Sequence, residues 1–328
     1  MTTHSKSPVV GIDLGGTKAL AGVVEANGTV RSRVYLPSRD LKGRPSELLD
    51  RIAEGAGTAA SEADLPFNAI QAVGLCVPGP LDRTRSVVAM APNLGWIDLA
   101  VREQLERRLP GKSVFLENDV RAAALGEHRL GAGRGYSSML AVFVGSGVGG
   151  GMVVDGELFH GDHGGAGEIG HMVVRAGGPR CGCGRAGCLE AMAARDAVGR
   201  YVIADVARGH KTLLTDILQG DLLAFTSRDL AQAVAQHDAV AIRAARRSAR
   251  YTGLAIGSVV NLVDPAIVVV GGGIAEALGQ PYVGWAAEIA RRQILSSARD
   301  VPIVPSQLRD DAGLLGAALT AFAGQDGN

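Results

Sequence analysis

His171, Cys181, Cys183 and Cys188 offer one imidazole and three thiols in a short stretch of a 328-residue chain. Three of the four cysteines fall in the string Cys181-Gly-Cys-Gly-Arg-Ala-Gly-Cys-Leu-Glu190, and Glu168-Ile-Gly-His171 precedes it. Cysteines often serve as inert core residues, but this glycine-rich, polar stretch has no apolar core to fill. Three thiolates and one imidazole are the ligand set of a closed, tetrahedral structural zinc site. Glu168 and Glu190 are not needed for such a site. Glu168 and His171 are three residues apart, so one helical turn would put them on the same face. If one imidazole nitrogen binds metal, the other is left to hydrogen-bond outward. Carboxylates accept hydrogen bonds in pairs, which suits the vicinal hydroxyls of a sugar. His160 and His163 lack a matching cysteine pattern and read as loop residues.

Glycine turns supply a second chemistry. Asp13-Leu-Gly15-Gly16-Thr17-Lys18 places a carboxylate, two glycines, a hydroxyl and an amine at a strand end. Glycines let successive backbone N–H groups approach an anion. Thr17 can donate to a phosphate oxygen, and Asp13 can hold Mg2+ through water. A plain hairpin turn with an Asx-type Asp13 is the simpler alternative. Gly145-Ser146-Gly147-Val148-Gly149 begins a stretch that satisfies the dinucleotide pattern, yet a strand follows where that fingerprint requires a helix. It reads instead as a second phosphate cradle. Gly111-Lys112-Ser113 resembles the end of a P-loop, but Glu106 stands where that motif needs glycine. Two cradles, with Gly272 and Gly273 after a further strand, point to a nucleoside triphosphate such as ATP.

Glu117-Asn118-Asp119 lies where a strand hands over to a helix. Asn and Asp are preferred N-caps, so capping competes with catalysis for Asp119. Both are accommodated if Asn118 caps and Asp119 acts as general base toward a substrate hydroxyl attacking a phosphoryl group.

The elements that must position these groups form a duplicated pattern. Residues 9–24 read as strand, glycine turn, strand, and the pattern restarts at 139–154. Asn27-Gly28 is a hairpin signal before a strand at 30–36. Helices are expected at 45–63, 99–109, 120–130 and 312–323, with a mainly helical stretch over 189–263. Two related α/β lobes with an interlobe cleft follow from the repeat. The chain is long for a single core. One lobe is expected over 1–119 with the C-terminal helix 312–328, and the other, carrying the cysteine knot, over 120–311.

Charge is balanced, 33 against 33, so no nucleic-acid or anionic-membrane footprint is present. Arg243, Arg246, Arg247 and Arg250 alternate with alanines as a solvated helix face would. Residues 135–154 lack charge, but their glycines break the run a spanning helix needs. Residues 1–8 contain no apolar signal core. A cytoplasmic protein is expected, and in that compartment clustered cysteines favour metal over disulfide.

These motifs together resemble the ROK family of repressors, open reading frames and sugar kinases, within the actin-like ATPase (ribonuclease H-like) superfold. The resemblance runs from about residue 8 to 323. It is carried by Gly164-Gly-Ala-Gly-Glu-Ile-Gly-His171, the cysteine knot, Glu190, both glycine turns, Asn118-Asp119, Pro92-Asn-Leu-Gly-Trp96 and Val270-Gly-Gly-Gly273. It implies an ATP-dependent hexose kinase with glucose as substrate, or an N-acetylhexosamine kinase. Asp119 would be the general base. Asn93, Asn118, Glu168, His171 and Glu190 would hold the hexose. Asp13, Gly15, Gly16, Thr17 and Lys18 would face the phosphates and magnesium, opposite Gly145, Ser146, Gly147 and Gly149, with Gly272 and Gly273 on the adenosine side. Family repressors carry a helix-turn-helix before the first phosphate strand, where only about seven residues stand here. A homodimer or homotetramer is the family's usual state. Two positions depart from the pattern: Ser146 replaces the usual threonine while retaining its hydroxyl, and Arg121, where Asn or Ala is common, has no explanation in the sequence.

Overall fold

The structure, a computed structural model, describes residues 7–222 and 224–326; the N-terminal segment read above as lacking a signal core lies largely outside them. Two compact units emerge. The first comprises residues 1–131, 158–166 and 310–328, and the second residues 132–157 and 167–309. The helix Asp119–Leu130 thus belongs with the first unit, whereas the sequence reading ended that lobe at residue 119.

In the first unit, apolar runs alternate with glycine turns and build strands β1 (Val9–Leu14), β2 (Lys18–Val24), β3 (Val34–Pro37) and β4 (Ala72–Val77). A two-stranded arm of β5 (Val88–Ala91) and β6 (Trp96–Leu99) precedes β7 (Ser113–Asn118). The main sheet has the order β3-β2-β1-β4-β7. β1 pairs antiparallel with β2 and parallel with β4, and β4 pairs parallel with β7. The strand expected over 30–36 is broken. Val30 makes only an isolated bridge to Val24, and pairing resumes at Val34. Ser32 causes the break: its buried hydroxyl accepts from the Val23 N–H at 3.1 Å and donates to the Ala59 carbonyl at 2.7 Å. A side chain thereby replaces a ladder bond.

The second unit repeats this order with β8 (Met139–Val144), β9 (Val148–Val154), β10 (Glu157–Leu158), β11 (Ile267–Gly271) and β12 (Ile303–Pro305), arranged β10-β9-β8-β11-β12. β8 again pairs antiparallel with β9 and parallel with β11. The duplication read from two glycine hairpins is therefore a duplication of sheet topology. Each unit has its own apolar core.

Helix packing fixes the strand ends that matter. The helix Ala312–Asp326 lies so close to the first sheet that a Cβ at Gly74 would collide with the Ala317 carbonyl, and so close to the helix Asp119–Leu130 that one at Gly316 would collide with the Ala122 carbonyl. Small residues at these contacts let backbones approach. In the second unit Asp238 caps the long helix Ala239–Val263 by accepting from Ala241 N–H at 2.7 Å. Its arginines are exposed, as expected, and two stack on aromatic rings: Arg246 over Trp285 and Arg247 over Tyr201. Among the described residues no helix is long and apolar enough to cross a membrane.

Candidate active site

In the first unit the carboxylates converge at the ends of neighbouring strands. Asp13 sits on β1 opposite Cys76 on β4, and β7 ends beside them at Asn118. The Cys76 thiol donates to Asp13 Oδ1 at 3.2 Å. Burial pushes the Cys76 thiol well above its ordinary range, with Asp13 adding to the shift, so it stays a neutral donor. A Cβ at Gly313 would stand 2.5 Å from the Asp13 carboxylate, so the start of the C-terminal helix closes directly on it.

The competition at Asn118-Asp119 resolves by division of labour. Asn118 Oδ1 accepts from the N–H groups of Val120 and Arg121 at 3.1 and 3.2 Å and caps the helix. Its amide donates to Asp119 Oδ1 at 2.9 Å and to the Gly79 carbonyl at 3.1 Å. Burial, and after it the negative charge of Asp13, raise the Asp119 pKa from 3.8 to about 7. Local N–H donors pull the other way but do not offset burial. A carboxylate tuned near neutral pH is suited to take a proton from a hydroxyl.

The first glycine turn lies alongside. Gly15 N–H donates to the Lys18 carbonyl at 3.0 Å, and the buried Ser38 hydroxyl holds the Gly15 carbonyl at 2.8 Å. A Cβ at Gly16 would meet Asn93 at 3.0 Å, so Gly16 and Asn93 are neighbours. Leu94 and Trp96 are buried while Asn93 is exposed, which explains the residue types of Pro92-Asn-Leu-Gly-Trp96. Thr17 and Lys18 are exposed. The Lys18 ammonium lies 5.0 Å over the Tyr35 ring.

The second unit carries the knot and the other turn. Glu168 precedes a short 3-10 turn, Ile169–His171, and His171 N–H donates to the Glu168 carbonyl at 3.1 Å. The ligand atoms of His171, Cys181, Cys183 and Cys188 all lie within 4.8 Å of one another. His171 Nδ1 is 3.7 Å from Cys181 Sγ, and Cys183 Sγ is 3.7 Å from Cys188 Sγ. A zinc tetrahedron with Zn–S bonds of about 2.3 Å has edges of about 3.8 Å, so the donor set fits that ion. Glu190 Oε2 accepts from Val148 N–H at 3.1 Å in the second turn. Gly145 and Gly273 are also adjacent, a Cβ at Gly145 standing 3.3 Å from Gly273 N. Gly272 has φ +84° and abuts the Val144 backbone, so only glycine fits there. Gly149 faces Phe143 across the hairpin, and Ser146 is exposed at its tip.

The ROK family pattern matches residues 9–323. The chain belongs to the ROK family. Its relatives include a glucokinase of Thermotoga maritima, 35% identical over 315 residues that cover 95% of this chain and 96% of that protein. An N-acetylmannosamine kinase of Shigella boydii is 33% identical over 311 residues, covering 94% and 97% respectively. The crystal structure of a ROK family glucokinase from Streptomyces griseus, in complex with glucose and AMPPNP, superposes with a TM-score of 0.84 at 31% identity, covering 96% of this chain and 99% of that one.

This ROK chain also holds a buried charge cluster that the sequence reading missed. Glu117, 1% exposed, accepts from Arg121 Nε at 3.1 Å and contacts Arg85 Nη1 at 3.3 Å and His160 Nε2 at 2.7 Å. Arg121 Nη1 donates to the Gly164 carbonyl at 2.6 Å. His160 is thus more than a loop residue, and Arg121 gains its explanation: both tie residues 158–166 to the end of β7. Glu117 lies in β7 and Arg121 in the helix that follows, so no periodicity of a single element announced the pair. These partners and the cluster's ions hold Glu117 below its ordinary pKa despite burial.

Proposed function

We propose that this ROK protein is an ATP-dependent glucokinase that transfers the γ-phosphoryl group of ATP to the 6-hydroxyl of glucose. The observation that carries the reading is Asp119. It is a carboxylate raised to about 7, fixed by Asn118 at a strand–helix junction and set near Asp13. Asp119 takes the proton of the attacking hydroxyl as the new O–P bond forms and the bond to the ADP oxygen breaks. Asn93, Asn118, Glu168, His171 and Glu190 hold the remaining hydroxyls, while the glycine turns and Thr17 cradle the phosphates. Asp13 would hold magnesium through water. When bound, that ion neutralises charge developing on the phosphates. His171, Cys181, Cys183 and Cys188 would hold zinc, whose four protein ligands leave no open position, so its part is structural. His171 Nε2 is then the nitrogen left to meet the sugar.

The experiment is a coupled kinase assay across glucose, mannose, fructose and the N-acetylhexosamines, with ATP and polyphosphate as donors. Glucose with ATP is expected to give the highest kcat/KM. A clear preference for N-acetylmannosamine would replace glucokinase by the amino-sugar reading, and no transfer to any sugar would overturn the kinase reading.

A further inference from the structure

Glu190 occupies an unusual place for a residue whose only task is to meet a sugar. It lies in the first turn of the helix Leu189–Ala193, directly after the last cysteine of the knot. One of its oxygens, Oε1, is turned toward Cys181 Sγ at 3.5 Å. The other, Oε2, reaches across to the phosphate turn and accepts from the Val148 N–H at 3.1 Å. A Cβ at residue 147 would stand 2.7 Å from Oε2, so glycine there is what lets the carboxylate reach the turn. The same segment grips the turn's other end, since Arg195 N–H donates to the Gly145 carbonyl at 2.9 Å.

We propose that Glu190 is a positioning residue for the phosphate turn, so that sugar binding and nucleotide binding are coupled through this one carboxylate. The inference rests on the glucokinase reading for the ligands' identities. The Val148 N–H is committed to Glu190 and is not among the donors the turn offers a phosphate. An ionised carboxylate has about four lone-pair directions, so Glu190 can keep this bond while accepting from a hydroxyl. A hydroxyl bound there restrains the carboxylate and, through it, the turn. A phosphate that orders the turn restrains Glu190 in return, because coupling between two binding sites is reciprocal.

The test measures binding of Mg-ADP without sugar, and of glucose without nucleotide, by calorimetry on zinc-loaded enzyme. Glu190→Ala is expected to weaken sugar-free ADP binding about three- to ten-fold, the usual consequence of one lost hydrogen bond to an ordered group. Glu190→Gln keeps an oxygen for the Val148 N–H, so it should hold ADP affinity within about two-fold while glucose binding falls. Gly147→Ala displaces Oε2 from within the phosphate turn and is expected to weaken glucose binding with no nucleotide present. Wild-type ADP affinity in Glu190→Ala, or wild-type glucose affinity in Gly147→Ala, overturns the proposal. Should Glu190→Ala fold poorly or lose zinc, Gly147→Ala decides alone. Unchanged glucose binding in Glu190→Gln would remove Glu190 from the sugar site, a failure of the functional reading that the ADP measurements keep separate.

Discussion

His160 Nε2 lies 2.7 Å from Glu117 Oε2, and this contact fastens a segment 43 residues away to the strand that ends in Asn118. Glu117 is almost fully buried and shared among Arg121, Arg85 and His160. Removing it leaves the Arg121 guanidinium buried without the carboxylate it pairs with. Breaking a buried pair in this way costs about 3–5 kcal/mol. Glu117→Ala should therefore lower the unfolding free energy by about 3 kcal/mol in urea titrations. His160, 29% exposed, can be replaced by water, and His160→Ala should cost only about 1 kcal/mol. Equal losses in the two variants would show that Glu117 is not the hub of the cluster.

Asp119→Asn removes the proposed base while leaving an oxygen to accept from Val120 N–H and the Asn118 amide. A general base contributes about 10²- to 10⁴-fold in rate. The variant should keep glucose affinity within a few-fold and lose at least about 100-fold in kcat. Turnover near the wild-type rate would mean that another group takes the proton.

The raised pKa of Asp119 also fixes two pH dependences. As pH falls below about 7 the carboxyl is protonated and cannot act as base, so log kcat/KM of the free enzyme should fall with unit slope. A profile flat down to pH 5 would contradict the assignment. Stability moves the other way. Between the ordinary value of 3.8 and about 7 the folded chain retains a proton that the unfolded chain has released. Folding therefore weakens as pH rises through that window, and the cost stays constant above it. Asp119→Asn carries no such cost, so its Tm advantage over wild type should grow from pH 4 to 7 and then level off.

What the sequence made legible was local. The glycine hairpins at 9–24 and 139–154, the cap at Asn118 and the donor set of the knot each depend on residues a few positions apart, where turn geometry and ligand spacing act directly. The Ser32 break in the strand after Asn27-Gly28 was hidden because its cause is a hydrogen bond to Ala59 in a distant helix. The same holds for His160, whose loop character is real but whose partner is 43 residues upstream. Ser38, which props the Gly15 carbonyl, carries no motif at all. The boundary after residue 119 reflected a change of element, while the helix it excluded packs on the C-terminal helix against Gly316. Close backbone approach of that kind is written only as a small residue.

Cys183→Ser tests whether the knot frames the sugar residues. Cys183 is the exposed member of the four donors, so its replacement disturbs the core least. Serine is a poor zinc ligand at neutral pH, and metal affinity follows from the full thiolate set. The loss should propagate along two short paths. His171 is itself a donor and sits three residues from Glu168, and Glu190 follows Cys188 by two residues with Oε1 against Cys181. Zinc content measured by plasma emission should fall from one ion per chain toward zero, about the outcome expected when one of four ligands is removed. Glucose affinity should fall with it, and a direct titration reads that loss without relying on turnover. Wild-type glucose affinity in the zinc-free variant would separate the knot from the sugar site.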